Sequence, residues 1–78
     1  MMAHFIETDD PTTNAIVRHM KAGGYLVYLA AGDGQILATA FDQEHNMQKV
    51  VIDGERDAET VYRAVCLLAR QCGIDLEG

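Results

Sequence analysis

Apolar residues recur along the chain in two periods, helical and alternating, and these divide it into five segments. The first opens at Asp9-Asp10-Pro11, where Asp10 offers an N-cap and Pro11 takes the first helical position with a fixed φ and no N–H to satisfy. Ile16, Val17 and Met20 follow at helical spacing, and His19 and Lys21 stand near the end where the helix dipole favours cations. Gly23-Gly24 stops the segment, so the pattern predicts a helix over 11–22. Tyr25 to Ala31 is apolar at both alternating sets of positions and rich in β-formers, the pattern of a strand that is covered on both sides or central in a sheet. Gly32-Asp33-Gly34 turns the chain into Gln35 to Phe41, completing a hairpin with Ile36, Ala38 and Ala40 on one face and Leu37, Thr39 and Phe41 on the other. The small residues leave room for a helix to approach closely. After a polar loop from Asp42 to Asn46, the run Met47 to Asp53 reads as a third strand, less apolar than the first and so nearer an edge, and Gly54 ends it.

The last segment has the clearest period. Ala58, Val61, Ala64, Val65, Leu68, Ala69 and Cys72 fall on one helical stripe, with Glu59, Arg63 and Arg70 opposite. Asp57 caps it, Gly73 takes the position just past its end, and Ile74 is placed to pack back on Ala69, which predicts a helix over about 57–72. The fold class that follows is α+β: a three-stranded antiparallel meander flanked by an N-terminal and a C-terminal helix, in the order α-β-β-β-α, with both helices on one face. Residues 1–9 precede it as an extended or loose segment, and the whole of 1–78 reads as one small acidic domain. One sheet face is then partly bare although the strands offer apolar residues to both, and the final helix carries Cys66 and Leu67 off its main stripe. Such surface marks a contact with a partner or a second copy, with Cys66 and Leu67 as a candidate dimer interface.

Composition narrows the function classes. With 49% hydrophobic and 23% charged residues the chain lies away from the composition of disordered proteins, and no run approaches the roughly 18 apolar residues of a membrane span. The first residues lack a basic region and acids follow at once, so no secretory signal is read and a cytoplasmic location is expected. Cys66 and Cys72 stand about 120° apart on one helix, which prevents their pairing and leaves two free thiols. His4, His19 and His45 are scattered and no CxxC occurs, so neither a metal nor any cofactor is expected. The net charge of −6, from twelve acids against six bases, disfavours direct nucleic-acid binding, which needs clustered Lys and Arg; it suits a basic protein partner or plain solubility.

Each candidate for chemistry has a simpler reading beside it. Asp53, Glu55, Asp57 and Glu59 are dense enough for general acid–base work, yet they also open a helix, where capping and the dipole explain acids. The run Asp53-Gly-Glu-Arg-Asp57 does not have the spacing of a calcium loop. His45 has carboxylates beside it but no nucleophile tied to it, and reads as a solvated loop residue; His19 is accounted for by the dipole and His4 by the terminal segment. Cys66 has Arg63 or Arg70 one turn away as its nearest source of positive charge. Gly32-Asp-Gly34 precedes a strand rather than a helix, which makes it a turn and not a phosphate cradle. Tyr25 and Tyr28 lack the basic neighbours that base stacking needs, which leaves core or interface packing. No catalytic residue emerges, and the chain is not expected to be an enzyme.

Two patterns resemble known families. Helix, meander and helix is the order of double-stranded RNA-binding domains, whose last helix begins with a basic run; here that place holds Asp57-Ala-Glu-Thr60, so the likeness is one of topology. The stretch from Gly24-Tyr25 through Gly32-Asp-Gly34 to Asp57-Ala-Glu-Thr-Val-Tyr62 is similar to the strand-hairpin-strand-helix unit of HicB-type antitoxins. In size, acidity and sheet-plus-helix build the chain also resembles small phage-encoded inhibitors, anti-CRISPR proteins among them. The expectation is a stoichiometric inhibitor or regulator of a basic, nucleic-acid-handling protein, with Asp42, Glu44, Asp53, Glu55, Asp57 and Glu59 opposing its Lys and Arg. The alternative is an antitoxin-like homodimer or an interaction protein without catalysis.

Overall fold

The computed structural model describes residues 3–5 and 8–74. In chain order the elements are β1 (Ala3–Phe5), α1 (Pro11–Ala22), β2 (Leu26–Gly32), β3 (Gln35–Phe41), β4 (Met47–Asp53) and α2 (Ala58–Gln71). The expected helix, three-stranded antiparallel meander and helix are all present. To the three strands the structure adds a fourth, since β1 pairs antiparallel with β2 and places His4 opposite Ala30. The sheet order is β1-β2-β3-β4, which makes β4 an edge and β2 and β3 the centre.

Local chemistry sets the ends of these elements. Asp10 caps α1, accepting from the Thr12 amide at 3.2 Å and from the Thr13 hydroxyl at 2.7 Å, and Pro11 follows at the first helical position. Thr8 and Asn14 lock the approach to that cap through reciprocal bonds between Thr8 N and Asn14 Oδ1 and between Asn14 Nδ2 and the Thr8 carbonyl. Asp57 caps α2 by accepting from the Thr60 amide at 2.8 Å. At the far end the Ile74 amide returns to the Ala69 carbonyl and Gly73 to Arg70, the paired bonds of a Schellman close. Between β2 and β3, Asp33 and Gly34 both take positive φ, which is the type I′ turn whose twist matches a two-residue hairpin.

Strand alternation then sorts side chains into two faces. Register aligns Val27 with Ala40 and Gln48, Leu29 with Ala38 and Val50, and Ala31 with Ile36 and Ile52. These positions face α1 and α2 and join Val17, Met20, Val61, Ala64, Val65 and Leu68 in the core. Ala38 and Ala40 are fully buried under the helices, as their size allows. Tyr25 lies just outside β2, and its hydroxyl donates to the Cys72 carbonyl at 3.2 Å, tying the start of the meander to the end of α2.

Candidate interaction surface

The opposite face of the sheet has no helix over it among the described residues. It carries Leu26, Phe41 and Met47 in one cross-strand row, Tyr28, Thr39 and Lys49 in the next, and Ala30, Leu37 and Val51 in a third with His4 at its end. Leu26 is 57% exposed, Met47 53%, Tyr28 50% and Val51 47%. A two-layer α/β domain normally turns polar residues to water on the uncovered side of an antiparallel sheet. Here that side is mostly apolar. Tyr28 and Phe41 meet edge to face, ring centroids 5.8 Å apart, an arrangement that favours contact between the two rings on this surface. Of the two expected interface readings, the bare sheet face is therefore the larger; Cys66 and Leu67 lie on α2 in the other layer, Leu67 at 37% exposure.

The six carboxylates expected to meet a partner fall into two groups. Asp42 and Glu44 belong to the β3–β4 loop, whereas Asp53, Glu55, Asp57 and Glu59 lie where β4 passes into α2, with the length of β4 between them, about 20 Å at ~3.3 Å per residue. Several of them also serve the fold. Asp42 closes its loop by accepting from the Glu44 amide at 2.8 Å, the Asn46 amide at 2.9 Å and Asn46 Nδ2 at 3.1 Å. Asp53 accepts from Gln35 Nε2, and Glu59 pairs with Arg63 at 3.6 Å across one exposed helical turn. Cys66 lies against Tyr62, and the contact with the thiol raises the Tyr62 hydroxyl above its ordinary pKa.

Hydrogen bonding also lowers three aspartates below the ordinary carboxylate value: Asp10 through the Thr13 hydroxyl, Asp42 through the Asn46 amide and side chain, and Asp57 through the Thr60 amide and side chain. A depressed folded-state pKa contributes stability that is fully present above the unfolded value and is lost as pH falls through the folded one. Thermal melts are thus expected to hold steady down to about pH 5 and to fall progressively below about pH 4. Asp42→Asn is expected to flatten that fall, and an acid limb that Asp42→Asn leaves unchanged counts against a contribution from this loop.

Other groupings offer less chemistry. A cleft of about 520 Å³ beside β2 is lined by His4, Val17, Lys21 and Leu26 to Leu29, a set without a carboxylate or a thiol to act with the imidazole. His45 is exposed in the β3–β4 loop at a positive φ of 67°, and burial, with the Asp42 carboxylate adding to it, pushes the Cys72 thiol up rather than activating it. Among the described residues no three His, Cys, Asp or Glu side chains converge as metal ligands would, and no helix is long and apolar enough to cross a membrane. Alternation along β3 already separated Leu37, Thr39 and Phe41 from the core side, while their neighbours on β2 and β4 depend on register. No family model matches the chain, and no curated protein and no solved structure matches it either.

Proposed function

We propose that the chain is a protein-binding module, a small acidic regulator that assembles through the open face of its sheet and presents carboxylates at both ends of that face to a basic, nucleic-acid-handling protein. The observation that carries this reading is the anatomy of the face: an apolar centre of Leu26, Tyr28, Leu37, Phe41, Met47 and Val51, bordered by Asp42 and Glu44 at one end and by Asp53 and Glu55 at the other. The apolar centre supplies the surface through which the chain assembles, and the carboxylates beyond it steer the encounter with a basic protein. The net charge of −6 favours a basic partner over nucleic acid itself.

Affinity capture from native lysate tests it, with the wild type, Leu26→Lys and the double variant Asp53→Lys/Glu55→Lys side by side. The wild type is expected to retain a basic nucleic-acid-handling protein at about 50 mM salt and to release it by about 500 mM, where the screening length drops to a few ångströms. Both variants are expected to lose most of it. Equal retention by the charge-reversed chain removes the carboxylates from the proposal, and retention by all three chains overturns it.

A further inference from the structure

Resting on that reading of the open face, we infer that its occupant is a second copy of the same chain, in a face-to-face dimer whose two-fold axis runs along the strands between β2 and β3. Three features of the face point there. The first is charge. Although the chain carries −6, the open face holds Lys49 and Asp53 as its only Lys, Arg, Asp or Glu side chains among the described residues, one of each sign and both on the edge strand β4. The central strands β2 and β3 present no ionic group on this side, so a basic protein laid across the middle finds nothing to pair with, while a neutral apolar surface loses nothing there.

The second is shape. A two-fold axis between β2 and β3 lays each central strand over the other's counterpart in the partner, so that the exposed Tyr28 comes over Thr39 of the partner subunit and Leu37 over Ala30 of the partner subunit, low positions that their own chain already closes over. Large side chains oppose small ones across the axis, as interdigitating sheets require, and the pairs repeat by symmetry. Leu26 and Phe41, both large, come opposite each other in the row at the end of the face. The shallow angle at which aligned sheets pack preserves these neighbours near the axis and offsets them toward the edges, where Lys49 and Asp53 stay at the rim.

The third is area. Three strands of seven residues and β1 of three, spaced ~4.8 Å apart, make a face of roughly 400 Å² in projection, and side-chain relief sets an upper value of roughly 600 Å² of accessible surface. Two such faces bury at most roughly 1,200 Å², the lower bound of specific interfaces, whereas the exposed large apolar residues of α2, Tyr62 and Leu67, stand about 140° apart around the helix. The molecule is also a thin slab, 17 Å through its shortest axis, so that pairing by the sheet face gives a four-layer body with helices outside. The carboxylates at the ends remain outward and available to the partner proposed above.

Sedimentation equilibrium on the purified full chain tests this, over about 1–300 µM, the range in which an interface of this size is expected to associate. The wild type is expected to move from 8.6 kDa toward twice that mass. Because each copy is acidic, added salt is expected to strengthen the association, opposite in sign to its effect on capture of a basic protein. Tyr28→Lys, which lowers the net negative charge, is expected to shift the association midpoint upward at least tenfold, and Val51→Lys repeats the test at a second exposed position with circular dichroism confirming the fold. Leu67→Lys on the opposite layer is expected to leave it unchanged. A wild type that stays at the monomer mass throughout overturns the inference, as does a dimer lost in Leu67→Lys or retained in both sheet variants. A monomer that still captures a basic protein through its carboxylates overturns only the dimer and leaves the regulatory reading standing.

Discussion

Replacing Leu68 by alanine is expected to lower stability by about 2–5 kcal/mol, toward the upper end of that range. Leu68 is fully buried on the inward stripe of α2, among Val61, Ala64 and Val65 and against the helix side of the sheet. Its surroundings cannot close over the vacancy. The sheet beneath contributes Ala38 and Ala40, which have no side chain to swing inward, and β3 is held by backbone ladders on both edges. A helix shift toward the sheet is opposed by the bond from the Tyr25 hydroxyl to the Cys72 carbonyl and by the Asp57 cap at the other end. At ~0.05–0.15 kcal/mol per residue a chain of this length has roughly 4–12 kcal/mol in total, so this one change removes a third or more of it. Urea unfolding measures the difference directly. Leu67→Ala, one residue along and 37% exposed, is expected to cost under about 1 kcal/mol, and similar losses for the two variants refute the described stripe.

How far the fold was legible can be judged from particular residues. The hairpin was readable because Asp33-Gly34 allows positive φ at both turn positions, and α2 because its apolar residues return every three or four places over a long run. The strand beginning at Tyr25 in the sequence pattern begins at Leu26 in the structure, since the aromatic ring at 25 turns to the end of α2 instead of entering the ladder. β1 left no readable pattern: three residues give too few alternations, and what makes Ala3–Phe5 a strand is the edge of β2 beside it. The dense run Asp53 to Glu59 was visible as a charge cluster, and the expected strand over Met47 to Asp53 already put Asp42 and Glu44 at its other end.

The open face shows the same division between local and long-range information. Apolar residues at both alternating positions of β2 were the sign of a strand covered on two sides, and the described chain covers one. The helix side accounts for Val27, Leu29 and Ala31, while Leu26 and Tyr28 are the residues for which the single chain has no use. An isolated exposed leucine is ordinary; four large side chains near half exposure in adjacent rows are a surface. The net charge then acts on the whole molecule rather than on that surface, which keeps the chain dispersed while its contact face stays neutral.

Gly54→Ala is expected to cost about 2–4 kcal/mol, a large loss for one methyl group. Gly54 sits at φ +148°, a region that side-chain-bearing residues rarely adopt, and the added Cβ meets the Thr60 Cγ2 at 2.7 Å and its hydroxyl oxygen at 3.1 Å. Neither contact is easily relieved. Thr60 lies in the first turn of α2 with a β-branched side chain of restricted rotation, and its amide is held by the Asp57 cap. Moving the other partner is no easier, because the Gly54 amide donates to the Gly34 carbonyl at 2.8 Å and so ties the end of β4 to the hairpin turn. Relief therefore costs either that bond or the seat of α2. Gly34→Ala separates the two causes: at φ +72° a Cβ there meets nothing within 4 Å, so it carries the backbone strain alone and is expected to cost about 1–2 kcal/mol. Because Gly54 lies between Asp53 and Glu55, the same substitution is expected to disturb the carboxylates at that end of the sheet, reducing capture of a basic partner while the association of the open face stays unchanged. Equal losses of stability for the two glycine variants would show that the approach of Thr60 contributes nothing and that backbone conformation alone demands glycine at the end of β4.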